Sequence, residues 1–339
     1  MAGCNCRAKA GRQMRVFING FGRIGRSVLR TWAQNPDRWP GLEIAAINDI
    51  ADPGICAYLL EYDSVYGAWP GGVTLEGDML GIAGRQIPLF RAPDLSSLDL
   101  RGFDLVMECT GMGGNRPVAE RGLQAGAARV LLSGPSDTAD YTVVLGANDE
   151  GLRDQRVVSN ASCTTNALAP LARLIDDAWG LVTGSMTTVH CYTGSQPTTD
   201  APGPNFARSR AAALSMVPTT TSASHLVDRV LPQLAGRLQG SAVRVPVASV
   251  SCVDLAVMTR DRVTVEAVNE VFRSAGGVIG STDRPLVSSD LRARPESIVM
   301  ATPETRLTAQ GLLRVFGWYD NEWGFSNRML DIGLRMGQG

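Results

Sequence analysis

A strand, a glycine turn and a helix follow one another near the start of the chain, and that succession restricts the fold more than any other feature. Met14-Arg15-Val16-Phe17-Ile18-Asn19 reads as a short buried strand. Gly20-Phe21-Gly22-Arg23-Ile24-Gly25-Arg26 follows, with its glycines spaced G-x-G-x-x-G. Ile24, Val28, Leu29 and Trp32 then mark one face of a helix that stops at Asn35-Pro36. In such a unit Gly20 makes the tight turn, Gly22 lets backbone approach a pyrophosphate, and Gly25 lets helix pack on strand. Leu42 to Asn48 reads as a second strand, ending at Asp49. A ribose-binding acid falls about 20 residues beyond the glycines in dinucleotide folds. Asp49 there would accept hydrogen bonds from the adenosine ribose and repel a 2′-phosphate, which favours NAD. Its plainer reading is a cap on the next turn.

The same rhythm continues. Phe103 to Cys109 is a strand candidate followed by Thr110-Gly111, and Arg129 to Leu132 is another followed by Ser133-Gly134-Pro135. Small residues such as Thr110 and Ser133 suit strand ends that face a cofactor. Alternation of strand and helix up to about residue 160 predicts an α/β fold with a doubly wound sheet.

Size and charge prune the function classes. A chain of 339 residues predicts two domains. A net charge of -1 gives no general attraction to nucleic acid or to an anionic membrane, so neither is expected as a partner. No apolar run approaches the roughly 18 residues of a membrane span, and residues 1–13 are polar, which predicts a cytoplasmic protein with a disordered tail. Seven cysteines spread through the chain do not form a disulfide pattern, and Cys4-Asn5-Cys6 has no second cluster to complete a metal site. The lone Lys9 lies in the tail, which excludes P-loop, kinase and Schiff-base lysine chemistry. With only His190 and His225, a histidine-rich metal site is excluded too, and no metal is expected.

The second half centres on Ser159-Asn160-Ala161-Ser162-Cys163-Thr164-Thr165-Asn166. Val157-Val158 runs in like a strand end, and Ala167, Leu168, Leu171, Leu174 and Ile175 leave at helical spacing. Cys163 therefore falls at a helix N-terminus, where the dipole and unpaired N–H groups favour thiolate. The bland alternative is a buried structural cysteine. Thr183 to His190 is strand-like, and His190 at its end is the candidate base for the thiol; otherwise it is a buried, hydrogen-bonded histidine. His225 lies in a helical-looking run. A long polar loop covers residues 192–208. Strand-like stretches recur at Val243 to Val247, Val250 to Met258, Pro285-Leu286-Val287 and Ile298-Val299-Met300. A dinucleotide fold with an activated thiol suggests aldehyde oxidation through a thioester. Abundant Thr, Ser and Arg in this half suit a phosphate.

The Ser159 to Asn166 stretch resembles the active-site signature of the phosphorylating glyceraldehyde-3-phosphate dehydrogenase family. The likeness runs from Met14 to the C-terminus through Asn19 to Arg26, Thr187-Thr188-Val189-His190, Arg244-Val245-Pro246, Val253-Asp254-Leu255 and Trp318 to Gly324. The resemblance implies a Rossmann-like NAD-binding domain over residues 14–162, joined by a C-terminal helix over 322–339. It also implies an α+β catalytic domain over 163–321 with a mostly antiparallel sheet. It implies that Cys163 forms a thiohemiacetal, that His190 takes its proton, and that inorganic phosphate cleaves the thioester. The implied reaction is reversible and serves glycolysis, gluconeogenesis or carbon fixation. Asn321 would hold the nicotinamide, and the backbone of Arg23 and Ile24 the pyrophosphate. Thr193, Arg208 and Arg244 match the substrate-phosphate site; Ser162, Thr164, Thr221 and Ser222 match the attacking-phosphate site. A loop over residues 191–215 would pack against a neighbouring subunit's cofactor, implying a homotetramer.

The sequence departs from that pattern at Ser195, where relatives carry an acid or threonine, and at Ser222, where they carry glycine. Phe325 replaces a tyrosine, and Pro197 often replaces a lysine. These positions bear on substrate choice, since erythrose-4-phosphate dehydrogenase is a close sister that releases 4-phosphoerythronate. A non-catalytic role as a cofactor-binding, RNA-associating protein finds no basic patch to support it.

Overall fold

The computed structural model describes residues 13–338. The expected N-terminal tail, with Cys4, Cys6 and Lys9, lies outside them. The first sheet has nine strands. Their spatial order is Tyr141–Thr142, Val157–Ser159, Arg129–Leu132, Leu105–Glu108, Met14–Asn19, Leu42–Asn48, Arg85–Phe90, Met79–Ile82 and Thr74–Glu76. Pairing is parallel from Tyr141–Thr142 through Arg85–Phe90, and antiparallel for the last two additions. Strands buried on both faces read as continuous apolar runs, as Val16, Phe17, Ile18 and Leu105, Val106, Met107 do.

The chain leaves Met14–Asn19 in one direction along the sheet and returns to its other side at Leu105–Glu108. That reversal opens a crevice beyond the strand ends, where ligands of open α/β sheets bind. The turn into the helix Arg23–Gln34 sits there. Gly20 has φ +92°, and a Cβ on it would stand 2.6 Å from the Thr110 nitrogen, so only glycine fits. A Cβ on Gly25 would meet the Gly20 carbonyl, which is how closely helix and turn are packed.

The second sheet has eight strands. Their order is Val217–Thr220, Leu238–Val245, Leu181–Cys191, Ser251–Thr259, Leu312–Tyr319, Ile298–Ala301 and Ile279–Thr282, with Arg306–Leu307 pairing off Leu312–Tyr319. It is mostly antiparallel, with two parallel pairings. The helix Cys163–Trp179 packs on it through Leu168, Leu171, Ala172 and Ile175. The fold is therefore the expected mixed α/β one, a parallel sheet plus a mostly antiparallel one. Pro285-Leu286-Val287 is not a strand. It is loop, and the strand of that region is Ile279–Thr282. Proline has no N–H to give to a ladder.

The last helix, Trp323–Gln338, returns to the first sheet. Phe325, Met329, Leu330, Ile332 and Met336 are buried among Val16, Ile18, Leu105 and Met107. Each such side chain contributes about 1.5–3 kcal/mol. Gly333 lies against Met107 and Leu105. Among the described residues, no helix is long and apolar enough to cross a membrane.

Candidate active site

The backbone turns sharply between Ser159 and Cys163. Ala161 is fully buried with φ +53°, a left-handed conformation that a methyl side chain tolerates at a cost of about 1–2 kcal/mol. Its N–H is anchored on Ser159 Oγ at 3.0 Å. Ser162 is the N-cap: its Oγ accepts from the Thr165 N–H at 3.0 Å and lies 2.7 Å from Thr165 Oγ1. Cys163 is thereby the first residue of the helix, and its Sγ stands 3.5 Å from His190 Nε2.

His190 ends the strand Leu181–Cys191 and is almost completely buried. Its Nδ1 lies 2.6 Å from Arg244 Nη1 and 2.7 Å from the Cys191 carbonyl oxygen. Arg244 reaches it because the two strands pair in parallel with His190 opposite Arg244. Burial, with the Arg244 charge beside it, lowers the imidazole pKa to about 4, so His190 is neutral at pH 7. Burial also pushes the Cys163 thiol up; the Arg244 charge and hydrogen bonds from Thr164 and the helix-start backbone pull it down less strongly. Desolvation thus opposes the helix start at the thiol and disfavours the charged form of the imidazole.

The other candidates fall into groups. Cys191 donates its thiol hydrogen to Asn321 Oδ1 at 3.1 Å, which brings Asn321 to the thiol–imidazole pair. Thr193 Oγ1 lies 3.0 Å from Ser195 Oγ, and Arg208 Nη2 donates to the same Ser195 oxygen at 3.2 Å. Thr221 Oγ1 accepts from the Ala223 N–H, and Ser222 is the exposed N-cap of the helix Ala223–Val230, which also carries the exposed His225. Thr221 packs beside Gly240, four positions along the strand from Arg244, so their backbones are separated by about 13 Å along the strand. The Thr164 hydroxyl lies 2.9 Å from the Tyr319 hydroxyl, which also meets Thr188 Oγ1 at 2.8 Å, and it also bonds the Cys163 thiol.

In the crevice, Asp49 accepts from the Phe21 N–H at 2.6 Å and from the Ala51 N–H at 2.9 Å, which fixes its carboxylate under the glycine turn. Thr110 gives its N–H and its hydroxyl to Glu108, whose other oxygen accepts from Asn19 Nδ2 at 2.6 Å. Asn19 Oδ1 in turn accepts from Asn48. Ser133 bonds the buried Cys109 thiol. The residues present fit a dinucleotide. A Cβ on Gly22 would meet nothing within 4 Å, so its backbone faces open space. The helix beyond it has no side-chain cap, leaving the Arg23 and Ile24 N–H groups for an anion. A cavity of about 260 Å³ lined by Gly20, Gly22, Asp49, Pro93 and Thr110 adjoins that turn. The Arg23 side chain turns away to Glu322 and Asp63.

Sequence reasoning missed Tyr319, Cys191 and the Glu108–Asn19–Asn48 network. Only Glu108 left a trace, as an acid closing an apolar strand.

A parallel sheet whose glycine-turn crevice fits a dinucleotide, joined to a second sheet that brings an imidazole within 3.5 Å of a helix-start thiol, is an architecture suited to a nicotinamide-dependent oxidoreductase. Residues 162–321 match the glyceraldehyde 3-phosphate dehydrogenase C-terminal domain, and residues 14–116 its NAD binding domain. A glyceraldehyde-3-phosphate dehydrogenase of Xanthobacter flavus is 44% identical over 333 residues, covering 96% of this chain and 99% of the relative. Those of Cereibacter sphaeroides and Pseudomonas aeruginosa are 45% and 44% identical, covering 96% and 95% of this chain and 99% and 98% of theirs. The chain belongs to the glyceraldehyde-3-phosphate dehydrogenase family, and it is an NAD-dependent oxidoreductase of that family.

Proposed function

We propose that the chain oxidises glyceraldehyde 3-phosphate to 1,3-bisphosphoglycerate, with Cys163 as nucleophile and His190 as base. The observation that carries this reading is the 3.5 Å approach of Cys163 Sγ to His190 Nε2 at a helix start. Cys163 Sγ adds to the aldehyde carbon, giving a thiohemiacetal on the protein. His190 Nε2 takes the hydroxyl proton as the carbonyl reforms, an effect worth roughly 10²–10⁴-fold. When bound, NAD supplies the hydride acceptor. The Cys163 N–H and the imidazole stabilise the oxyanion. Inorganic phosphate then attacks the thioester and leaves with the acyl group, restoring the thiol.

Arg244, Thr193 and Arg208 hold the substrate phosphate; Ser162, Thr164, Thr221 and Ser222 receive the attacking one. The separation of Thr221 from Arg244 along the sheet supports two anion positions. Gly20, Gly22, Gly25, Asp49, Thr110, Ser133 and the N–H groups of Arg23 and Ile24 form the NAD cradle, with Asn321 at the nicotinamide. The NAD-binding unit covers residues 14–162 with 322–339, and the catalytic unit 163–321. The protein works in the cytoplasm as a homotetramer; the exposure of Phe206, Leu214 and Met216 on the 191–215 loop supports a subunit contact there.

Turnover measured on glyceraldehyde 3-phosphate and erythrose 4-phosphate, with and without phosphate, tests the reading. Phosphate-dependent acyl phosphate from the triose supports it. Phosphate-independent release of a free acid, with preference for the tetrose, overturns it.

A further inference from the structure

Three neighbouring strand ends of the second sheet bring Cys191, Ser251 and Asn321 together. Cys191 closes the strand Leu181–Cys191, Ser251 opens Ser251–Thr259, and Asn321 lies two residues past Leu312–Tyr319. The register aligns them, with Val189 opposite Cys252 and Ser251 opposite Tyr319. The Ser251 hydroxyl oxygen accepts from the Cys191 N–H at 3.1 Å, and its own hydrogen bonds the Cys191 sulfur. The Cys191 thiol in turn donates to Asn321 Oδ1 at 3.1 Å. Cys191 is fully buried and Ser251 nearly so, which keeps the thiol in its uncharged, donating form. The bonds thus run one way, from Ser251 to Cys191 to Asn321.

A side-chain amide has a donor end and an acceptor end of nearly the same shape, and its surroundings decide which faces where. Here the donating thiol claims the oxygen. Asn321 keeps 7% of its surface, and among the described residues no acceptor takes its Nδ2 hydrogens, so the nitrogen is the end turned outward. We propose that Cys191 is a positioning residue for the cofactor: it holds the Asn321 amide with Nδ2 outward, as a donor to the carbonyl oxygen of the nicotinamide carboxamide. This inference rests on the reading of Asn321 as the nicotinamide ligand. Sulfur is a weak acceptor, so the opposite orientation, with Nδ2 on Cys191, would exchange a directed bond for a poor one.

The consequence is selectivity at one end of the cofactor. A fixed Nδ2–H recognises the carbonyl on the pyridine ring and ignores what that carbonyl carries, so a 3-acetylpyridine ring suits the site as the amide does. A free Asn321 could turn and offer Oδ1 to the carboxamide NH2, a bond that only the amide can make. Cys191 Sγ also lies 3.8 Å from His190 Nδ1, so cofactor binding, rather than turnover, is the measurement that separates the two contacts.

Calorimetric titration with NAD and with 3-acetylpyridine adenine dinucleotide tests this. The native protein should bind the two with similar Kd. Cys191→Ala should weaken the analogue more than NAD, raising the ratio of the two Kd values roughly three- to tenfold. Cys191→Ser, which keeps a donor, should restore the native ratio. In infrared spectra of the cofactor-free protein, the S–H band that disappears in Cys191→Ala should move to higher wavenumber in Asn321→Leu, as a released thiol requires. A ratio unchanged in Cys191→Ala, or a band unmoved in Asn321→Leu, overturns the proposal. Asn321→Leu protein that binds both cofactors as tightly as the native one overturns it too, through the nicotinamide reading, and the infrared band tells that failure apart because it reports the Cys191 bond without cofactor.

Discussion

Arg23 and Glu322 face each other in a forked ion pair although they are 299 positions apart: Arg23 Nε lies 3.0 and 3.2 Å from the two carboxylate oxygens, and Nη2 closes the second bond. Arg23 Nη1 also reaches Asp63 at 2.5 Å. The pair ties the glycine-turn helix to the residue next to Asn321. Arg23→Met would remove the guanidinium from two largely buried carboxylates, Glu322 at 15% and Asp63 at 3% side-chain exposure, leaving Asp63 only its bonds from the Val65 and Tyr66 N–H groups. Because the guanidinium is itself 37% exposed, solvent softens the loss, and we expect about 1–2 kcal/mol rather than the larger cost of a fully buried pair. Thermal unfolding should show a lower Tm, and NAD titration a weaker affinity. An unchanged Tm would remove the pair from any structural role.

The neutral His190 makes stability depend on pH in a defined direction. Its folded pKa of about 4 lies below the ordinary 6.5, so the unfolded chain binds the proton more readily. Stability from this residue is complete above pH 6.5 and is lost as pH falls toward 4. From pH 7 to pH 5 the loss is about 2 kcal/mol. Urea unfolding of the native protein and of His190→Asn at both pH values checks this. The difference between the two proteins should shift by about that amount, and a constant difference would contradict it.

The resting thiol carries its own pH signature. With the Cys163 pKa above its ordinary value and His190 neutral, alkylation of the free protein by iodoacetamide should rise steadily with pH through the alkaline range. It should show no step near pH 6.5. Such a step, absent in His190→Asn, would mean that a thiolate–imidazolium pair already exists without ligand.

Asp49 serves two backbone donors and faces the cavity beside the glycine turn. Asp49→Ala should weaken NAD binding about tenfold or more, a loss near 1.4 kcal/mol or above, and narrow the gap between NAD and NADP. Fluorescence titration with both cofactors decides it; equal discrimination before and after would exclude Asp49 from ribose recognition.

Ser195 is the hydroxyl between Thr193 and Arg208. Ser195→Asp would place a carboxylate against Arg208 and neutralise the charge offered to a phosphate. We expect KM for the aldehyde phosphate to rise severalfold with kcat little changed, the pattern of lost uniform binding. A fall in kcat alone would place Ser195 closer to the chemistry than its bonds imply.

Legibility in the sequence followed the reach of each signal. Strand Met14–Asn19, the glycine turn and helix Arg23–Gln34 were readable because apolar period and glycine spacing are local. The same held for Cys163, whose chain neighbours build the cap. Met79–Ile82 and Thr74–Glu76 went unread, since strands of three or four residues with exposed positions carry little pattern. Tyr319 escaped notice because its partner Thr164 is 155 positions away. Cys191 meets Asn321 across 130. The family resemblance pointed to Arg244 as an anion ligand, but its place on His190 Nδ1 depends on strand register, which no local pattern records.

The helix Trp323–Gln338 sets an unusual timetable for the growing chain. The glycine turn and most of the parallel sheet are synthesised first, yet Phe325, Met329, Leu330 and Ile332, which cover Ile18 and Met107, emerge only after the whole antiparallel sheet. Until then the nascent dinucleotide unit carries a bare apolar face, the kind of surface that draws chaperones or strays into aggregates. The half of the molecule that is synthesised first is thus covered last, after every strand of the antiparallel sheet has been made.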